Sequence, residues 1–372
     1  MKGWAVRSAG VRERLNGHRR ASFIARPMTT NRRLYISYVL IAAALSLQLR
    51  ATAAEETSNQ SPVLWTDRGD IRALDLIGGA GGKEHQPSGK FTFVKEDMGG
   101  TAAKFIVVDE QGVRWKAKLG EEVKSETAAT RLVWAAGYFT DEDYYLPELR
   151  VDNMPKLKRG SQFVSADGRV QGVRLERYLK GEKKAGNWSW FKNPFTGTKE
   201  LNGLRIMMAL INNWDLKEVN NAIYQVKGER PRYVVSDLGA TFGETGNPLT
   251  RSKSNPQDYS KSEFIQKVTP DHVDFFLSSR PFFLTAIDIP NYTKRTKMQE
   301  VVKNIPIADA IWLGKLLQPL SDDQIRDVFR AAGYNDKDVE DNATVVKQRI
   351  MDLTRLDLTR LDSNQSDSNR LP

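Results

Sequence analysis

The sequence has no cysteine in its 372 residues and only three histidines, His18, His85 and His272. The missing thiols exclude disulfides, a cysteine nucleophile, thiolate zinc sites and iron–sulfur clusters. Three scattered histidines exclude a histidine-rich metal centre, and a Ser-His-Asp triad would have to use one of them. His85 lies in a Gly-rich stretch and His272 follows Pro270-Asp271, and both read as surface residues. Chemistry in this chain is therefore expected to run on Asp, Glu, Lys, Asn and a bound cofactor.

Charge of one sign is in excess, with 56 Lys+Arg against 46 Asp+Glu and a net charge of +10. Such a balance suggests a nucleic-acid or membrane-surface partner. Its distribution argues otherwise: residues 1–54 carry ten basic groups against Glu13 alone, so the remainder is close to neutral and no nucleic-acid partner is expected. Within that segment the uncharged, mostly apolar run Leu34–Leu49 follows Asn31-Arg32-Arg33 and precedes Ala51-Thr52-Ala53-Ala54, the order of a secretory signal. The run is shorter than the roughly 20 residues of a membrane span. A cleaved leader is the first expectation and an N-terminal anchor at residues 34–49 the second. In both, the chain from about residue 55 onward is exported to a periplasm, a secretory lumen or the medium. Met28 is a second candidate start.

Residues 55–89 read as a linker and Gly-rich entry segment. Gly78-Gly79-Ala80-Gly81-Gly82-Lys83-Glu84 is not a Walker loop, because Ile77 and Glu84 stand where Gly and Ser or Thr are required, and a flexible turn is expected. Residues 90–180 are β-rich. Phe91–Val94, Ala103–Val108 and Val113–Leu119 make an antiparallel meander with a turn at Asp109–Gly112, followed by a helix over Ser125–Ala136 and a strand over Gln171–Tyr178. Residues 181–354 are α-rich: an apolar helix over Glu200–Trp214, short strands at Ala222–Val226 and Tyr233–Val235, a polar loop to about Tyr259, then helices over Pro270–Leu277, Arg295–Asn304, Ala308–Leu317, Ser321–Ala332 and Val339–Thr354. Residues 355–372 form a low-complexity tail in which Asp352–Leu356 repeats at Asp357–Leu361. The fold class is thus α+β with two lobes.

The most specific run is Asp215-Leu216-Lys217-Glu218-Val219-Asn220, placed after the apolar helix and followed, beyond a hydrophobic strand, by Asp237-Leu238-Gly239. Upstream, Gly99-Gly100 precedes a strand, Lys118 ends another, and Glu126 opens the next helix. This order resembles the D-L-K-x-x-N loop and D-F-G motif of the protein-kinase-like superfamily. It is similar in style to the atypical HipA-type kinases and, more loosely, to phosphatidylinositol kinases. The motifs span roughly residues 90–245. They depart from the pattern in having two adjacent glycines, Trp214 before the catalytic Asp, Leu238 in the Phe position, and only eight residues between Lys118 and Glu126.

The resemblance implies a phosphotransferase using ATP and Mg²⁺. Lys118 would contact the α- and β-phosphates, held by Glu126, with the amides near Gly99 and Gly100 approaching phosphate and Glu176 at the adenine-contacting hinge. Asn220 and Asp237 would supply the hard oxygen ligands that Mg²⁺ prefers. Asp215 would orient or deprotonate a hydroxyl acceptor on protein, lipid or glycan, and Lys217 would neutralise the transferred group. Taken singly, Asp-Leu-Gly and Gly-Gly are ordinary turn sequences, Lys116 and Lys118 read as edge charges and Glu126 as a first-turn acid. Their joint order carries the reading, and a pseudokinase that binds a nucleotide or envelope partner without transfer is the alternative. The aromatic and basic insert at Trp188, Trp190, Phe191 and Phe195 reads as lobe packing or a substrate-side element.

Overall fold

A computed structural model describes residues 61–244, 251–277 and 297–368, with side chains described to Leu356. The apolar run at residues 34–49 lies outside these residues. Among the described residues no helix is long and apolar enough to cross a membrane.

Five strands close into a barrel in the order β1-β2-β3-β5-β4: β1 (Phe91–Asp97), β2 (Lys104–Asp109), β3 (Arg114–Leu119), β4 (Asp143–Asp152) and β5 (Arg169–Arg177). Alternation along β3 decides what each side chain meets. Trp115, Ala117 and Leu119 enter the barrel core with Phe105, Val107, Val173 and Leu175, so Lys116 and Lys118 project from the opposite face. The one polar atom Trp115 brings inside is satisfied, its Nε1 donating to Asp109 Oδ2 at 2.8 Å. After β3 the chain turns at Gly120, whose φ of +103° only glycine adopts easily, and enters α1 (Glu122–Ala135) at once. That helix begins three residues before the sequence pattern suggests, which places Glu122 and Glu126 one above the other on a single face.

The second lobe is built on α2 (Lys199–Leu210), capped by Thr198 Oγ accepting from the Leu201 amide. The sequence suggests a helix to Trp214. It ends at Leu210 because Asn212 turns left-handed at φ +53°, and residues 211–214 form the bend that presents Asp215. A three-stranded sheet in the order β6-β7-β8 follows, from β6 (Lys183–Gly186), β7 (Asn221–Gln225) and β8 (Arg232–Val235). Beyond α3 (Pro256–Lys261), the strands β9 (Ile265–Val268), β10 (His272–Phe275) and β11 (Ile305–Pro306) form a third sheet. The expected helix at Pro270–Leu277 is therefore β10. Pro270-Asp271 mimics a helix start, but Val273 and Phe275 are buried at a spacing of two, which is strand periodicity. Of the helix expected over Arg295–Asn304, residues 297–300 are helical and the first two lie outside the described residues.

Helices α4 (Ile307–Leu317), α5 (Asp322–Arg330) and α6 (Asp336–Ser368) complete the lobe, α5 starting from a Ser321/Gln324 capping box. The last helix continues to Ser368, well into the repeat-bearing end of the chain. The Gly-rich entry segment is packed rather than loose. Arg131 of α1 donates to the Ile77 carbonyl from Nε and Nη2, and a Cβ on Gly81 would lie 2.1 Å from the Tyr144 hydroxyl. The α+β, two-lobed arrangement expected from the sequence is the one observed: a strand barrel with its helix, then the loop, hairpin and Asp-Leu-Gly turn on a helical lobe.

Candidate active site

Lys118 leaves the outer face of β3 directly beneath α1. Its Nζ lies 2.8 Å from Glu126 Oε2, 2.6 Å from Glu122 Oε2 and 2.8 Å from Asp237 Oδ1, with only 4% of the side chain exposed. The eight-residue interval that departs from the family pattern thus forms a direct ion pair, because the Gly120 turn wastes no chain between strand and helix. Burial alone would lower the ammonium's affinity for its proton, but Glu126, Asp237 and Glu122 hold it well above the usual lysine value. The same contacts outweigh burial at Asp237, which is held below the usual carboxylate range mainly by Lys118 and further by Arg174 and Lys104. Lys104 stands opposite Lys118 across the β2–β3 ladder.

A second layer supports this cluster. Arg174, the cross-strand partner of Lys118 on β5, sends Nη1 to Asp143 Oδ1 at 2.6 Å, Nη2 to Glu176 Oε2 at 3.0 Å and Nε to within 3.4 Å of Glu126 Oε2. Burial pushes the Asp143 carboxyl up and Arg174 pulls it back. Glu176 is committed to the same layer, since its other oxygen takes Lys116 Nζ at 2.5 Å. Burial would raise Glu176, but Lys116 and Arg174 keep it below its usual range. It lies within β5 rather than past its end, and its carboxylate lines the interlobe cleft with both oxygens engaged.

The loop residues form a second group. The Asp215 amide donates to Asn213 Oδ1 at 3.0 Å, Lys217 Nζ lies 2.7 Å from Asp215 Oδ1, and Asn220 Nδ2 donates to the Asp215 carbonyl at 2.9 Å. Leu216 is buried and pins the loop to the core. The group joins the first through the backbone: Ser236, next to Asp237, donates its amide to the Asn220 carbonyl at 2.9 Å. Asp237 itself sits at φ +54°, and Leu238 is fully buried beside it. At position 239 only glycine fits, because a Cβ there would stand 2.6 Å from the Cβ of Glu122. The space left lets Ser125 Oγ reach the Gly239 carbonyl at 2.7 Å, locking α1 to the turn.

Gly99 and Gly100 sit in the exposed β1–β2 turn and do not touch the Lys118 cluster. The Gly99 amide is given to Asp97 Oδ1 at 2.9 Å, and Arg159 holds the Gly100 and Asp97 carbonyls, each at 2.7 Å. Trp214 serves packing, with Arg251 4.8 Å and Lys253 5.5 Å from its ring centroid. Lys253 also pairs with Glu122, so Glu122 joins β3, α1 and the segment after Asp-Leu-Gly.

Glu122, Lys104, Arg174 and Lys253 are absent from the sequence-derived set. Only Glu122 leaves a trace in the sequence, as an i,i+4 acid pair with Glu126. Carboxylate oxygens of Glu122, Glu126 and Asp237 lie within 4.8 Å of one another, and the Lys118 ammonium sits among them. In the insert, Trp188 and Trp190 are buried, whereas Phe191 is 42% exposed next to the loop.

No protein-family model matches the chain, and no curated protein matches it. Among solved structures, the Helicobacter pylori proinflammatory kinase CtkA overlaps 72% of this chain and 97% of its own at 11% identity, with a TM-score of 0.42. The Golgi casein kinase with Mn/ADP bound overlaps 74% of each chain at 10% identity and a TM-score of 0.40. A further Golgi casein kinase structure overlaps 80% of this chain and 78% of its own at 11% identity and the same TM-score.

Proposed function

We propose that this chain is an exported kinase-like phosphotransferase that moves the γ-phosphate of ATP to a hydroxyl acceptor. The observation that carries the reading is the meeting of Lys118, Glu126 and Asp237 from two lobes, each contact 2.8 Å, beside an ordered Asp215–Asn220 loop. Phosphoryl transfer asks for charge neutralisation and alignment more than covalent chemistry, and these residue types supply both. Lys118 would bind the nucleotide phosphates while Glu126 and the Arg174 layer fix its direction. Asp215 would orient the acceptor hydroxyl and take its proton as that oxygen bonds to the γ-phosphorus and the bond to the β,γ-bridging oxygen breaks, releasing ADP. Lys217 lies on the same carboxylate and would offset charge on the group in transit. Mg²⁺ held by Asp237 and Asn220 would neutralise the phosphates. Export rests on the apolar run at residues 34–49 and its basic flank.

The alternative is a pseudokinase. Two observations favour it: Lys118 is already met by three carboxylates, and the Gly99 amide that would face phosphate is spent on Asp97. Purified protein should gain thermal stability from ATP in a Mg²⁺-dependent way, and Asp237→Ala should abolish the gain. Transfer of labelled γ-phosphate to itself or to an extract, lost in Asp215→Ala, separates kinase from binder. Absence of any nucleotide-dependent shift removes the enzyme reading and leaves the pseudokinase only as a binder of an envelope partner. For export, an N-terminus beginning near residue 55 in the mature protein is expected, and an intact Met1 or Met28 on a soluble protein retained in the cytoplasm would refute it.

A further inference from the structure

The insert before α2, the Asp215–Asn220 loop and the residues after Lys297 enclose a cavity of about 280 Å³. Its apolar walls are Trp190, Phe191, Leu216, Val219, Met298 and Val301. Two of these are left facing water, Val219 at 65% exposure and Phe191 at 42%. Single exposed apolar side chains are ordinary on a protein surface, but two that share one cavity on the reaction loop form a patch that a ligand can cover.

The three charged groups that line the cavity are already spent. Lys217 rests on Asp215, and Glu218 Oε1 accepts from Ser189 Oγ at 2.5 Å and lies 3.8 Å from Lys297 Nζ. Lys297 in turn stands 5.4 Å from the Phe191 ring centroid. A polar group lodged here would give up water for little return, so the cavity selects an apolar one. Its volume falls just below the about 300–1,000 Å³ of sites for drug-sized ligands, which suits one bulky side chain better than an acyl chain.

We propose that this cavity receives a large apolar side chain of a protein acceptor and so selects hydroxyls that have such a residue nearby in the same chain. The inference rests on the phosphotransferase reading above and names the acceptor class for that site. Continuity with the reaction loop carries it. Leu216, Lys217, Glu218 and Val219 all line the cavity, and all lie between Asp215, which would orient the acceptor hydroxyl, and Asn220. Lys217 belongs to both places, since it lines the cavity while its ammonium sits 2.7 Å from Asp215 Oδ1. The cavity and that carboxylate are therefore one lysine side chain apart, a reach comparable to the about 7 Å between alternate side chains of an extended peptide. A peptide hydroxyl held at Asp215 would place a residue about two positions away at the cavity mouth, where Phe191 and Val219 would lose their exposure to water.

The test uses the full chain, Mg-ATP and a set of Ala/Gly peptides with one central serine, in which a single phenylalanine is moved through the positions on either side. At one position phenylalanine should raise kcat/KM about tenfold over alanine, the scale of burying one such side chain. Phe191→Ala should abolish that ratio and Phe191→Leu should keep it, whereas a merely structural defect would lower both peptides alike and leave the ratio in place. Met298→Trp, which fills the cavity, should abolish it as well. Equal kcat/KM for phenylalanine and alanine at every position overturns the acceptor pocket, as does a ratio unaltered in Phe191→Ala, and in both results the phosphotransferase reading survives. Transfer to no peptide, with ATP hydrolysed or a lipid of phosphatidylinositol vesicles phosphorylated instead, overturns it too. A preference that emerges only in a Phe282→Ser/Phe283→Ser variant would assign the cavity to residues 278–296 of the chain itself. Transfer to neither peptide, lipid nor water removes the phosphotransferase reading together with this one.

Discussion

Lys118 Nζ and Asp237 Oδ1 are 2.8 Å apart although 119 residues separate them in the chain, and this contact ties β3 of the barrel to the turn that follows β8. Its energy depends on pH in a definite direction. Asp237 and Glu122 both titrate below their usual values, so the stability they contribute is fully present above about pH 4, the unfolded value, and is lost as the pH falls through the depressed folded values. The melting temperature should therefore drop between about pH 4 and pH 2. Lys118→Met, which leaves three carboxylates around a buried methyl group, should cost about 3–5 kcal/mol at neutral pH and reverse the slope, with stability now falling as pH rises above about 4. Melting curves over pH 2–8 decide it, and parallel profiles for the two proteins would show that the cluster does not govern acid stability.

Lys217 is 54% exposed and pairs with Asp215. Exposed pairs add little to folding. Lys217→Met should leave the melting temperature nearly unchanged while lowering kcat about 100-fold, the scale of losing one charge-stabilising group. Steady-state kinetics beside thermal melts make the check, and an equal loss in stability would assign Lys217 to structure instead.

Gly239→Ala forces a methyl group against the Glu122 Cβ, 2.6 Å away. The backbone must shift, at about 1–3 kcal/mol. Because the shift moves α1 relative to Asp237, the variant should also lose Mg²⁺-dependent nucleotide stabilisation. Denaturant unfolding with and without Mg-ATP measures both effects.

Asn342 is completely buried on α6, and among the described residues neither its amide nitrogen nor its carbonyl oxygen has a partner. Leucine at this position keeps the branched heavy-atom shape and removes an unsatisfied amide, and Asn342→Leu should stabilise the protein by about 1–3 kcal/mol. An unchanged or lower unfolding free energy would mean that the amide is satisfied in solution. The same burial closes the Asn342-x-Thr sequence to glycosylation in the folded chain.

The parts of the site readable in the sequence are those written contiguously. Asp215–Asn220 is one uninterrupted run, Asp237–Gly239 follows a strand, and Lys118 with Glu126 could be placed from strand and helix periodicity. What escaped is what the fold assembles at a distance. Lys253 meets Glu122 across 131 residues, and Arg174 faces Lys118 only because β5 pairs with β3. Neither relationship leaves a local pattern. The fold shows the same division. The β1–β3 meander has alternation and turn residues to announce it, whereas β4 carries Pro147 inside the strand and offers no clear run. Two opposite errors had local causes: Pro270-Asp271 imitated a helix start ahead of a strand, and Ile211 and Trp214, three residues apart, continued a helical stripe past its true end.

The first lobe has one further property that follows from its closure. In the barrel β1 pairs with β2 along its length but with β4 over only two residues, Phe91 with Val151 and Thr92 with Asp152, so the barrel is closed at one end of that seam. The inner strands β2, β3 and β5 have a neighbour on both sides and offer another chain no edge to pair with. Backbone pairing is open instead at β9, the outer strand of the third sheet, on the helical lobe.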